Sequence, residues 1–128
     1  MSAYYFSKTL DTSFDAAIEK VTAALKDEGF GVLTEIDVKK TLKEKLDAEF
    51  RPYRILGACN PPFAHKALAA EDKIGTMLPC NVIVQELPGG IEVAAVDPKA
   101  SMMGIDNPAL DEIAEEIQQR LRRMIDSL

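Results

Sequence analysis

The sequence predicts a two-layer α/β (α+β) domain, with helices packed on one face of a mixed sheet of about five strands. Three observations predict it. Short stretches that alternate or cluster apolar residues recur at 3–9, 30–36, 50–59, 77–87 and 91–97, as strands do. Between and after them lie segments with apolar residues every three or four positions, the mark of helices with one buried face. The chain has 128 residues, 47% hydrophobic and 28% charged, which suits one domain over its whole length and needs no metal or disulfide to fold.

The first strand puts Tyr4 and Phe6 on one side and Tyr5 on the other. Thr12 or Ser13 caps a helix whose buried stripe is Phe14, Ala17, Ile18, Val21, Ala24 and Leu25. Gly29 ends it, because glycine tolerates the left-handed conformation that follows a helix. After the second strand, Asp37 caps a short helix with Val38, Leu42 and Leu46 on a narrow stripe. Its lysines, Lys39, Lys40, Lys43 and Lys45, form a solvated face rather than an anion site. Pro52, near the start of the third strand, suits an edge or a bulge.

Asn60-Pro61 opens the third helix, since Asn is a favoured cap and Pro is preorganised for the first helical position. Strands 77–87 and 91–97 form a hairpin across Pro88-Gly89-Gly90. A loop from Pro98 to Asp106 leads to Asn107-Pro108, a second cap-and-proline start. The last helix carries Leu110, Ile113, Ala114, Ile117, Leu121, Met124 and Ile125 on one face. Its acids come early and its arginines late, as the helix dipole favours. The predicted order is β-α-β-α-β-α-β-β-α.

A net charge of −6 opposes binding to nucleic acid or to an anionic membrane surface. No apolar run approaches the roughly 18 residues that span a bilayer. The start, Met-Ser-Ala-Tyr-Tyr-Phe, has neither the basic nor the long apolar part of a secretion leader. Two cysteines without a leader suit a reducing compartment, so a cytoplasmic location is expected.

Gly57-Ala-Cys-Asn-Pro-Pro62 and Leu78-Pro-Cys-Asn-Val-Ile-Val84 are more particular. Together with Gly29-Phe30-Gly31-Val32, Tyr53-Arg54-Ile55-Leu56 and Asp97-Pro98, they resemble domain-of-unknown-function family 302. The likeness runs from about residue 13 to the last helix. It implies a small two-layer α/β domain, widespread in bacteria and archaea and often dimeric, and it implies no established activity. Part of that family has other residues where Cys59 and Cys80 stand, which implies that the fold does not need the thiols.

The candidate site residues are Cys59, Asn60, His65, Cys80, Asn81, Met102 and Met103. Cys59 precedes the Asn60-Pro61 helix start, where free N–H groups would stabilise a thiolate; the plainer alternative is a small buried residue at a strand end. If the unit joining Cys59 to Cys80 is a parallel crossover, the two thiols lie at opposite ends of the sheet and form no disulfide. Antiparallel strands would let them meet; the first geometry is the expected one, and with it no internal disulfide. A soft-metal site from Cys59, Cys80, His65 and Met102 or Met103 matches no standard zinc spacing, so no metal and no cofactor are expected.

Carboxylate pairs, nucleophile elbows and phosphate loops are missing, and Gly89-Gly90 is turn chemistry. The expected function is therefore a ligand-binding or interaction module without its own catalysis, taking an unknown small ligand. The rival is a thiol-dependent redox or sensor protein, or a soft-metal binder, using Cys59 with Cys80 as second thiol; His65 is the only imidazole. Tyr4, Phe6, Val82 and Val84 are expected to face the helices, and Tyr5, Leu33, Leu56, Ile83 and Val96 to face away. That second apolar face predicts a twofold homodimer.

Overall fold

Among the described residues five strands form: β1 (Tyr5–Leu10), β2 (Gly31–Asp37), β3 (Tyr53–Cys59), β4 (Cys80–Leu87) and β5 (Gly90–Val96). The helices are α1 (Phe14–Asp27), α2 (Val38–Leu46), α3 (Pro61–Ala70), the short α4 (Pro98–Ser101) and α5 (Ala109–Asp126). This computed structural model describes residues 3–128; Met1 and Ser2, part of the N-terminal segment considered above, lie outside the described residues. The α+β class and the five strands are as expected. Where a continuous loop was expected after β5, Asp97 accepts a hydrogen bond from the Lys99 N–H and opens α4.

The sheet order is β1-β5-β4-β3-β2, and every neighbouring pair is antiparallel. The mixed sheet is thereby corrected in detail. The chain between β3 and β4 does not cross to the far end of the sheet. Instead α3 and a single 3₁₀ turn (Ile74–Met77) stay at one end, and Ala58 pairs with Cys80. Residues 77–79, expected within the strand, belong to this turn and to the Leu78–Pro79 peptide, which is cis.

Local chemistry sets the helix ends. Ser13 Oγ accepts the Ala16 N–H at 3.1 Å, and Asp37 Oδ1 accepts the Lys40 N–H at 3.0 Å. Gly29 leaves α1 at a φ of +86°, a conformation that a side chain would strain. Asn107 Oδ1 accepts the Ala109 N–H at 3.1 Å and starts α5.

Val21 and Leu25 of α1, Leu56, Val82, Val84 and Val93 of the sheet, and Leu121 and Met124 of α5 are fully buried together. Each such side chain contributes about 1.5–3 kcal/mol relative to exposure. The register fixes which residues share a face. Glu35, Leu56, Val82, Ala95 and Phe6 form one row across the strands, on the side of the helices. The neighbouring row, Ile36-Ile55-Ile83-Ala94-Ser7, faces the other way. Leu56, expected on the outer face, is thus a core residue, and Ile55 takes the outer position. Tyr4, expected against the helices, is 70% exposed and stacks edge-on against Tyr5.

Candidate functional site

β3 ends at Cys59 and β4 begins at Cys80, so the antiparallel pairing brings the two cysteines to the same end of the sheet. The expectation that they lie at opposite ends is corrected by this register. Both are free thiols; Cys80 is buried and Cys59 is half-buried.

Above this end of the sheet lies a cavity of about 330 Å³. Phe30, Ala58 and Leu78 line it from the sheet side, Phe63, Ala64 and Ala67 from α3, and Ile113, Ala114 and Ile117 from α5. The small Ala64, Ala67 and Ala114 face inward where larger side chains would close the space. Leu33 and Leu68 also line the cavity, yet they are 69% and 44% exposed, so the mouth is apolar too. Leu33 reaches it because β2 carries a bulge between Val32 and Thr34.

Gly57 permits the close packing beneath. A methyl group there would lie 2.1 Å from Thr34 Oγ1 and 2.7 Å from Pro79 Cγ, and both of those residues line the cavity.

Of the residues singled out from sequence, Cys59, Asn60, Cys80 and Met102 line this one cavity. The other three are elsewhere. His65 lies on the exposed side of α3, because the inward stripe is Phe63, Ala64, Ala67 and Leu68. Asn81 is exposed and belongs to a groove on the opposite face of the sheet, and Met103 is 77% exposed. No base therefore stands beside Cys59. Pro61 and Pro62 carry no N–H, which removes two of the donors that a helix start offers a thiolate. Among the described residues no three of His, Cys, Asp and Glu converge as a metal site.

Asn60 does something other than the expected capping. Its side chain makes no cap hydrogen bond to α3. Buried, it donates through Nδ2 to the Glu28 carbonyl at 3.4 Å. Arg120 Nη1 donates to that same oxygen at 2.9 Å, and Arg123 pairs with the Glu28 carboxylate at 2.9 Å. The end of α1, the end of β3 and the middle of α5 are tied at this point, beside the cavity. Burial pushes the Cys80 thiol up to about 11, with the neighbouring charge of Cys59 adding to the effect.

Residues 6–128 match the model of a family described as domain of unknown function DUF302. The chain belongs to the DUF302 family. A similar solved structure is the crystal structure of an uncharacterized conserved protein DUF302 from Bacillus stearothermophilus. It is 32% identical, with a TM-score of 0.90 and 98% of each chain covered. No curated protein matches this DUF302 chain. Among its described residues no helix is long and apolar enough to cross a membrane.

Proposed function

We propose that this DUF302 domain is a cytoplasmic, homodimeric binding module without catalysis of its own, and that it takes a small apolar molecule in the cavity between α3, α5 and the Cys59/Cys80 end of the sheet. The observation that carries this reading is the cavity itself. At about 330 Å³ it has the size of a small-ligand pocket, and its walls are almost wholly apolar. Apolar surface left open to water forgoes both burial and dispersion contacts, so a guest with an apolar body gains both. The rival thiol enzyme lacks support at one point, since His65 is turned to solvent and Cys59 has no base.

The test is fluorescence titration with N-phenyl-1-naphthylamine, a neutral apolar dye. The native protein is expected to bind one dye per chain with a blue-shifted emission. Ala64→Trp, which fills the cavity from α3, is expected to abolish binding. Ile83→Glu, on the opposite face of the sheet, is expected to leave it unchanged. Equal binding by the native protein and the Ala64→Trp variant would overturn the reading.

A further inference from the structure

Phe63 joins the apolar cavity to a positively charged edge. It lines the cavity from α3, while Lys66 Nζ and Arg120 Cζ each lie 5.3 Å from its ring centroid. Arg120 is fixed in place by two bonds. Its Nη1 donates to the Glu28 carbonyl at 2.9 Å and its Nε to Glu116 at 3.0 Å. Asn60, a buried residue of the cavity wall, donates to the same Glu28 oxygen, so the guanidinium stands next to that wall. Gly29 permits this approach, since a methyl group there would lie 3.0 Å from Asn60 Nδ2 and 3.4 Å from Arg120 Nη1. The charges at this edge do not balance. Arg120 holds Glu116 and Arg123 holds Glu28, which leaves Lys66 over. Among the described residues Lys66 pairs with no carboxylate, and the cavity lining holds neither Asp nor Glu. This local positive excess occurs in a chain whose net charge is −6.

We propose that the guest of the cavity is a small apolar carboxylic acid, with its hydrocarbon body between the apolar walls and its carboxylate against Lys66 and Arg120. This rests on the reading above that the cavity takes an apolar guest, and it names the chemical class. The cavity, at about 330 Å³, lies at the small end of ligand pockets, which suits a chain of medium length or a single ring system. The walls reward any apolar body equally, so the cations choose the head. Among the described residues Arg120 Nη2 makes no hydrogen bond, and Lys66 has three donors to offer. A carboxylate accepts charge-assisted bonds from both. An alcohol accepts only weaker bonds there, and an amine meets like charge.

The experiment is displacement of N-phenyl-1-naphthylamine by decanoate and by 1-decanol at about pH 7.5, where the acid is ionised. Both are expected to displace the dye from the native protein, and added salt to weaken decanoate alone. Lys66→Met keeps an apolar stem over Phe63 and removes the charge. Because Lys66 is exposed, the variant is expected to fold as the native protein does. It is expected to bind decanoate about fivefold more weakly and 1-decanol unchanged, and Lys66→Arg to bind both as the native protein does. Unchanged decanoate binding by Lys66→Met, or an equal loss for acid and alcohol, would show that the lysine only covers Phe63 and would overturn the acid. Displacement by 1-decanol but not by decanoate would also overturn it, while the apolar-guest reading stood. A native protein that binds no dye would overturn both.

Discussion

A buried thiol is held neutral by its surroundings, and for Cys80 this makes stability depend on pH. Its value rises from 9.0 to about 11 in the folded chain. Below pH 9 the proton is bound in folded and unfolded chains alike, and the full contribution is present. Between pH 9 and about 11 the unfolded chain releases the proton while the folded chain keeps it, so the unfolding free energy falls as pH rises. The loss is on the order of 2 kcal/mol. Urea midpoints at about pH 8 and about pH 10.5 are expected to differ more for the native protein than for Cys80→Ala. Equal differences would show that Cys80 does not carry the effect. The same burial orders the two thiols kinetically: a small maleimide is expected to label half-buried Cys59 in the native protein, with Cys80 following only on unfolding. Mass spectrometry of partly labelled protein reads this order, and early modification of Cys80 would contradict it. Gly57 is a residue-scale constraint of another kind. Gly57→Ala pushes a methyl group into Thr34 and Pro79 and is expected to cost about 1–3 kcal/mol in denaturant unfolding, as overpacking does.

Among the elements, α1, β3 and α5 meet at the Glu28 carbonyl, which takes hydrogen bonds from both Asn60 and Arg120. Asn60→Ala is expected to lower the urea midpoint by about 1–2 kcal/mol equivalent, because one bond is lost from a buried site. An unchanged midpoint would reduce Asn60 to a spacer before Pro61. This junction was not legible in the sequence, since Asn60 and Glu28 are distant and Asn60-Pro61 reads naturally as a cap. The features set by near neighbours were legible: the Ser13 and Asp37 caps, the end of α1 at Gly29 and the buried stripe of α5. The phase of β3 was not, because Ile55 and Leu56 are adjacent and apolar and either could face the core. Strand direction was hidden for a related reason, as nothing local distinguishes a crossing α3 from one that stays at the same end. The outward position of His65 was legible. Phe63, Ala64, Ala67 and Leu68 already define the inward stripe, and His65 falls between its members. The alanines that open the cavity also gave a signal, one that acquires meaning only when α3 and α5 are known to face each other.

At the scale of the whole molecule, helices cover the row containing Val82 and leave the row Ile36-Ile55-Ile83-Ala94 turned the other way, with Ile36 48% and nearby Tyr5 42% exposed. One face of an antiparallel sheet commonly meets water, but such faces are usually polar. Here the polar groups, Gln85 and Glu92 with Arg51, form a hydrogen-bonded chain beside the apolar row rather than within it. A second copy related by a twofold axis would set this row against itself and leave the polar chain at the margin. Light scattering is accordingly expected to give twice the chain mass at micromolar concentration. Ile83→Glu is the discriminating variant. A twofold interface counts every substitution twice, so two carboxylates would enter one apolar contact, each at a cost of several kcal/mol. In an isolated chain the same carboxylate would stand at a half-buried position beside water, where the cost is small. The variant is therefore expected to become monomeric while keeping its far-ultraviolet circular dichroism and its dye binding. A native protein that is already monomeric, or an Ile83→Glu variant that remains dimeric, would place the contact elsewhere or remove it.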